Sequence, residues 1–133
     1  MPQEPTGILV VDDEPLIRSI CKKVVELHGF DPILAENGKQ GLDIFRDRHD
    51  AIALILSDFA MPLMNGIDMM HQIFKIKPHS NVILMTGFSP RDIFGDLESL
   101  CALLYKPFTP RQLWDTIKKC LDYEARRSVL LES

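Results

Sequence analysis

Basic charge is scarce in this chain. It has 15 Lys and Arg against 19 Asp and Glu, a net charge of −4. A domain that grips nucleic acid usually presents a basic face. Two basic pairs, Lys118-Lys119 and Arg126-Arg127, come late and read as solvated helix charge. No direct nucleic-acid binding is expected. Cysteine is scarce too. Cys21, Cys101 and Cys120 are scattered, odd in number and without CxxC spacing, which predicts neither a disulfide framework nor a zinc site. A reduced, cytoplasmic setting fits that usage. Long apolar runs are missing: none approaches the roughly 20 residues that span a bilayer, so no membrane insertion is expected. Met1 to Gly7 carries two prolines, an acid and no apolar stretch, unlike a signal peptide. There is no repeat, linker or low-complexity segment.

What is there is enough for one domain. The chain has 133 residues, 46% of them hydrophobic, and a chain of that size hides roughly two-thirds of its unfolded surface. Short apolar runs alternate with segments of helical period. Ile8 to Val11, Phe30 to Ala35, Ala51 to Ser57, Asn81 to Met85 and Cys101 to Tyr105 read as strands. Pro32 suits an edge strand, because it has no N–H for a ladder. Helices are predicted from Pro15 to His28, from Asn37 as cap to about Arg48, and from Gly66 to Lys77. A fourth opens at Ser89-Pro90 and contains Gly95. The last starts at the capping box Thr109-Pro110-Arg111-Gln112 and runs to Tyr123 or Arg127. Apolar strands alternating with helices predict an α/β fold, a doubly wound parallel sheet of five strands covered on both faces. A flavodoxin-like (βα)5 order, 2-1-3-4-5, would place a site at the carboxyl ends of strands one and three. Residues 7–127 form the predicted domain, with tails at 1–6 and 128–133.

The candidate reactive residues all fall at those carboxyl ends. Asp12 and Asp13 follow strand one, Asp58 strand three, Thr86 strand four and Lys106 strand five. One acid at a strand end is ordinarily a turn or cap residue; three carboxylates, a hydroxyl and an ammonium on one edge are a rarer coincidence. Clustered carboxylates repel one another, and a hard divalent cation offsets that cost. Mg2+ takes oxygen ligands and pairs a few carboxylates with phosphate oxygens. Phosphoryl transfer to a carboxylate asks mainly for positioning and charge neutralisation. Lys106 offers a compact second positive charge, and Thr86 a hydroxyl for a phosphoryl oxygen.

The strings VVDDEP, SDFAMPLMNG, ILMTG and YKPF resemble, in order and spacing, the receiver domains of two-component response regulators. The resemblance covers roughly residues 7 to 123. It implies that Asp58 accepts a phosphoryl group from a histidine kinase or histidine phosphotransfer protein. It implies that Asp13 ligates Mg2+ directly, Asp12 mostly through water, and Asp58 and the backbone carbonyl of Ala60 complete the protein ligands. Thr86 becomes the switch hydroxyl and Lys106 the phosphoryl contact. Pro62 and Gly66 shape the loop after Asp58, and Lys106-Pro107 becomes a cis peptide. Ala60 and Phe88 come to flank the path of a hydrolytic water. The output is a shift of the face formed by the fourth helix, strand five and the last helix, read by a downstream protein that the sequence does not name. A monomer or weak dimer is expected. One departure stands out: where the family carries an aromatic on strand five, three residues before the lysine, this chain has Leu103, and Tyr105 follows on the same strand face.

Two other classes compete with this signalling reading, under which the chain is not a turnover enzyme. A Mg2+-dependent phosphohydrolase would need a cap insertion and a second acid two residues beyond Asp58, where Ala60 stands. A degenerate, phosphate-independent binding domain would have lost part of the set that Asp12, Asp13, Asp58, Thr86 and Lys106 complete. The histidines are spread over separate segments and the methionines read as packing, as does Trp114 on the last helix.

Overall fold

Five short strands carry the molecule. β1 (Gly7–Val11), β3 (Ile52–Asp58) and β4 (Val82–Thr86) are buried almost throughout. β2 (Asp31–Ala35) and β5 (Ala102–Tyr105) are more open. The computed structural model describes residues 4–87 and 97–132. The strands form one parallel sheet in the order β2-β1-β3-β4-β5, as predicted. Pro32 lies on the edge strand β2, where its missing N–H costs least.

Successive residues of a strand point to opposite faces, and the two cores follow that alternation. Leu9, Val11, Ile55, Val82 and Leu84 join the core covered by α2 (Gly38–Arg48) and α3 (Gly66–Ile76). Ile8, Val10, Leu54, Leu56, Ile83 and Met85 join the other, covered by α1 (Pro15–Leu27) and α4 (Pro110–Glu132). Each such Leu or Ile, fully buried, contributes about 1.5–3 kcal/mol. Met69, Met70 and Met85 are fully buried in these cores, the packing role expected of them.

Local signals set the helix starts. Asn37 Oδ1 accepts from Gln40 N (2.8 Å) at α2, and Asn65 Oδ1 from Asp68 N (2.8 Å) at α3. At α4 the predicted capping box is closed from both sides: Thr109 N donates to Gln112 Oε1 (2.9 Å) and Gln112 N to Thr109 Oγ1 (3.1 Å). Trp114 packs as expected, stacking on His28 with ring centroids 3.8 Å apart and bringing α4 against the end of α1.

Three expectations need revision. α4 runs through Glu132, beyond Arg127, so residues 128–132 continue a helix. β3 and β4 each run one residue further than predicted, so Asp58 and Thr86 end their strands instead of following them. The third concerns cysteine. Cys101, just before β5, and Cys120, in α4, form a disulfide with Cα atoms 5.9 Å apart. The spacing of 19 residues carries no local signature, and only the docking of α4 beside β5 brings the pair together. The predicted fourth helix, with Ser89, Pro90 and Gly95, falls largely outside the described residues, as does Phe88.

Candidate functional site

The carboxyl edge of the sheet gathers the predicted residues. Val11 pairs with Ser57, Asp58 with Met85, and Thr86 with Tyr105, so the ends of four strands are level. Asp12 is held as β1 ends. Its N–H donates to Ala35 O (3.1 Å) and its Oδ1 accepts from Glu14 N (2.9 Å), a side-chain turn that starts the chain toward α1. Asp12 is fully buried and Asp13 is exposed. Asp58 is 5% exposed, and Thr86, beside it on β4, is buried. Lys106 follows β5, and its N–H donates to Thr86 O (2.9 Å).

The loop after Asp58 is tight. Phe59 N donates to Met85 O and Gly66 N to Phe59 O, both at 2.9 Å. A Cβ on Gly66 would stand 2.5 Å from the carbonyl oxygen of Asp58 and 2.7 Å from Leu84 Cδ1, so only glycine lets α3 start here. Between them Pro62 O accepts from Met64 N (2.8 Å), and Leu63 adopts a left-handed φ of 69° with its side chain in solvent. Ala60 is exposed on this loop. The Lys106-Pro107 peptide is cis, as the resemblance implied.

The centre is an internal ion pair network. Lys106 Nζ lies 3.0 Å from Asp12 Oδ2, 3.3 Å from Asp58 Oδ1 and 3.7 Å from Glu14 Oε1. Burial, and then the neighbouring Asp12 charge, push the Asp58 carboxyl up to about 6 against the pull of Lys106. Burial also raises Asp12, opposed by the Glu14 N–H and Lys106. Burial alone would lower Lys106, but its bonds to Asp12 and Asp58 outweigh that and raise it. The acids are thus strained by desolvation and short of positive charge, while the lysine is firmly charged. Cys21, behind Asp12, is inert: burial first and the Asp12 charge next push its thiol up to about 12.

The acids fit a hard cation. One carboxylate oxygen from each of Asp12, Asp13 and Asp58 lies within 4.8 Å of the others. Oxygens on opposite sides of one Mg2+ stand about 4.2 Å apart, so a small contraction would accommodate the ion. No histidine or cysteine joins this group among the described residues.

A sequence profile of the response regulator receiver domain matches residues 8–118. The chain belongs to this family. It is 35% identical over 117 residues to the sporulation initiation phosphotransferase F of Bacillus subtilis, covering 86% of this chain and 92% of that one. It is also 35% identical over 115 residues to the transcriptional regulatory protein CpxR of Escherichia coli, of whose length the match covers 48%. Among solved structures, a receiver domain protein from Clostridium thermocellum superposes with a TM-score of 0.82 at 32% identity, covering 94% of this chain and 98% of that one. The Thermotoga maritima response regulator TrrA, solved in complex with Mg2+-BeF, has a TM-score of 0.78 at 31% identity, covering 87% and 99%. Receiver domains are signalling domains of two-component and phosphorelay systems. They bind Mg2+ at this acidic pocket and partner with histidine kinases or phosphotransfer proteins. No helix among the described residues is long and apolar enough to cross a membrane.

Two contributors escaped the sequence. Arg18 Nη1 donates to the carbonyl of Asp12 (2.7 Å), bracing the acidic loop from the first turns of α1. Glu14 adds a third acid to Lys106. Nothing in the spacing marks either, because both contacts depend on how α1 leaves the sheet. The departure at Leu103 is now located: its side chain packs on the α2–α3 side, and Tyr105, beyond it on the strand, is 47% exposed.

Proposed function

We propose that the chain accepts a phosphoryl group on Asp58 from a histidine kinase or histidine phosphotransfer protein, in a Mg2+-dependent reaction, and signals the change to a downstream protein. The observation that carries this reading is Lys106 Nζ bridging Asp12 and Asp58 beside a third, exposed carboxylate, Asp13. An Asp58 oxygen attacks phosphorus, the bond from phosphorus to the donor nitrogen breaks, and its electron pair leaves with the imidazole. Mg2+ bound by Asp12, Asp13, Asp58 and the Ala60 carbonyl would neutralise charge on the phosphoryl oxygens. Lys106 turns from Asp12 toward the new phosphoryl oxygens, which supply more negative charge than the carboxylate alone. Thr86 donates its hydroxyl to another of them. Pro62 and Gly66 hold the loop that carries Ala60, and Pro107 fixes the chain direction after Lys106.

Because Lys106 follows β5 and Thr86 ends β4, phosphate is read as a population shift of the surface around β5 and α4, with the segment between β4 and β5. The domain works in the cytoplasm as a monomer or weak dimer, without direct nucleic-acid contact. The test is incubation with acetyl phosphate and Mg2+, followed by intact-mass measurement. One added phosphoryl group is expected on the parent and none on Asp58→Asn; equal labelling of the two rejects the assignment.

A further inference from the structure

We propose that Cys101 and Cys120 form a thiol–disulfide switch that clamps β5 to α4 and thereby restrains the strand that leads into Lys106. The Cα separation of 5.9 Å lies within the range a disulfide spans. What the bond closes is specific. β5 and α4 are already joined through the short connection after Lys106, and α4 begins at Pro110. The disulfide ties the other end of β5 to the middle of α4, so both ends of the strand are fastened to one helix. The closed loop contains Lys106 and the whole of β5.

This strand needs such a fastening more than its neighbours. It is an edge strand of four residues, bonded among the described residues only to β4, and only Leu104 of the four is buried. Without the disulfide it is held by that ladder, by Leu104 and Ala102 in the core shared with Leu113 and Ile117 of α4, and by Leu103 on the α2–α3 side. Elements with few buried apolar contacts open at the lowest cost.

Both cysteines also border a cleft of about 980 Å³, lined as well by Thr116, Lys119 and His79. Cys101 is partly exposed and Cys120 buried, so an incoming thiolate meets Cys101 first. A thiolate such as glutathione attacks Cys101 Sγ, and the Cys120 sulfur leaves with the electron pair and takes a proton. A second glutathione thiolate attacks the glutathione sulfur of the mixed disulfide, releasing Cys101 as thiol and oxidised glutathione. Oxidised glutathione drives the reverse. Cys21, fully buried away from the cleft, stays out of the exchange.

The effect on Asp58 rests on the function proposed above, whereas the clamp itself does not. The full chain is equilibrated in buffers of varied reduced and oxidised glutathione, trapped with an alkylating reagent and mapped by mass spectrometry. A reversible Cys101–Cys120 disulfide is expected, with β5 amides exchanging hydrogen at least tenfold more slowly in the oxidised form. Labelling of Asp58 by acetyl phosphate should be at least threefold slower in that form, because Lys106 moves less freely from Asp12. Cys101→Ser should remove every response to oxidant while keeping the fold. A pair that stays dithiol in excess oxidised glutathione, or that only carries glutathione on Cys101, overturns the switch. Equal β5 exchange in the two forms overturns the clamp. Equal labelling rates overturn its link to the site, and no labelling of either form rejects the function above while the exchange data still judge the clamp.

Discussion

Lys106 Nζ and Asp12 Oδ2 stand 3.0 Å apart across 94 residues of sequence, the ammonium mostly buried and the carboxylate wholly so. Removing one partner of a buried pair leaves the other uncompensated, at a cost of about 3–5 kcal/mol. Lys106→Met should lose about that much stability in EDTA, as read from urea melts. Added Mg2+ should restore most of it, since a cation can then answer the same carboxylates. A loss of equal size with and without Mg2+ would contradict the role of Lys106 as internal counter-ion.

Asp13 is the exposed member of the acid group, so it adds little to the metal-free fold. Asp13→Ala should weaken Mg2+ binding at least tenfold in a calorimetric titration while leaving the metal-free melting temperature within a few degrees. Unchanged affinity would remove Asp13 from the ligand set.

The pH dependence follows from Asp58, raised by burial to about 6 from 3.8. Between those values the folded chain holds a proton that the unfolded chain has lost. Stability therefore falls as pH rises through this window and stays low above it. A shift of this size corresponds to about 3 kcal/mol at most. In EDTA, Asp58→Asn should melt above the parent at pH 7.5 and approach it near pH 4. A constant difference across that range would show that Asp58 is not the group responsible. Asp12, raised in the same direction by burial, sharpens the trend in the parent.

Gly66→Ala places a methyl group against Asp58 O and Leu84. Backbone cannot yield as a flexible side chain can, so a loss of about 1–3 kcal/mol is expected. Labelling of Asp58 should slow as well, because the obstructed atom is the carbonyl of the phosphoacceptor itself. Normal stability and normal labelling together would show that the loop has room to move.

The sheet was legible because its strands are apolar on both faces and its helices amphipathic, and those periods survive without any tertiary information. The site was legible for a related reason. In a parallel sheet every strand ends on the same edge, so Asp12, Asp58, Thr86 and Lys106 needed only their strands to be recognised. What stayed hidden depends on contacts between elements. The bond from Arg18 to Asp12 O requires the angle at which α1 leaves β1. The Cys101–Cys120 pair requires α4 to lie along β5, and the scattered spacing of three cysteines argued the other way. The extension of α4 through Glu132 crosses a segment without the proline or glycine that usually announces a helix end.

The strand order has a consequence for how the chain reaches this structure. β1 and β3 are adjacent, so their pairing alone brings Asp12, Asp13 and Asp58 together. Lys106 arrives only with β5, at the far edge and late in the sequence. Contacts of long sequence separation form slowly. On any route where β1 meets β3 before β5 docks, three like charges are brought together with only Arg18, bonded to the Asp12 carbonyl, near them. Divalent cations should then speed refolding, because they relieve that crowding before the lysine comes into place.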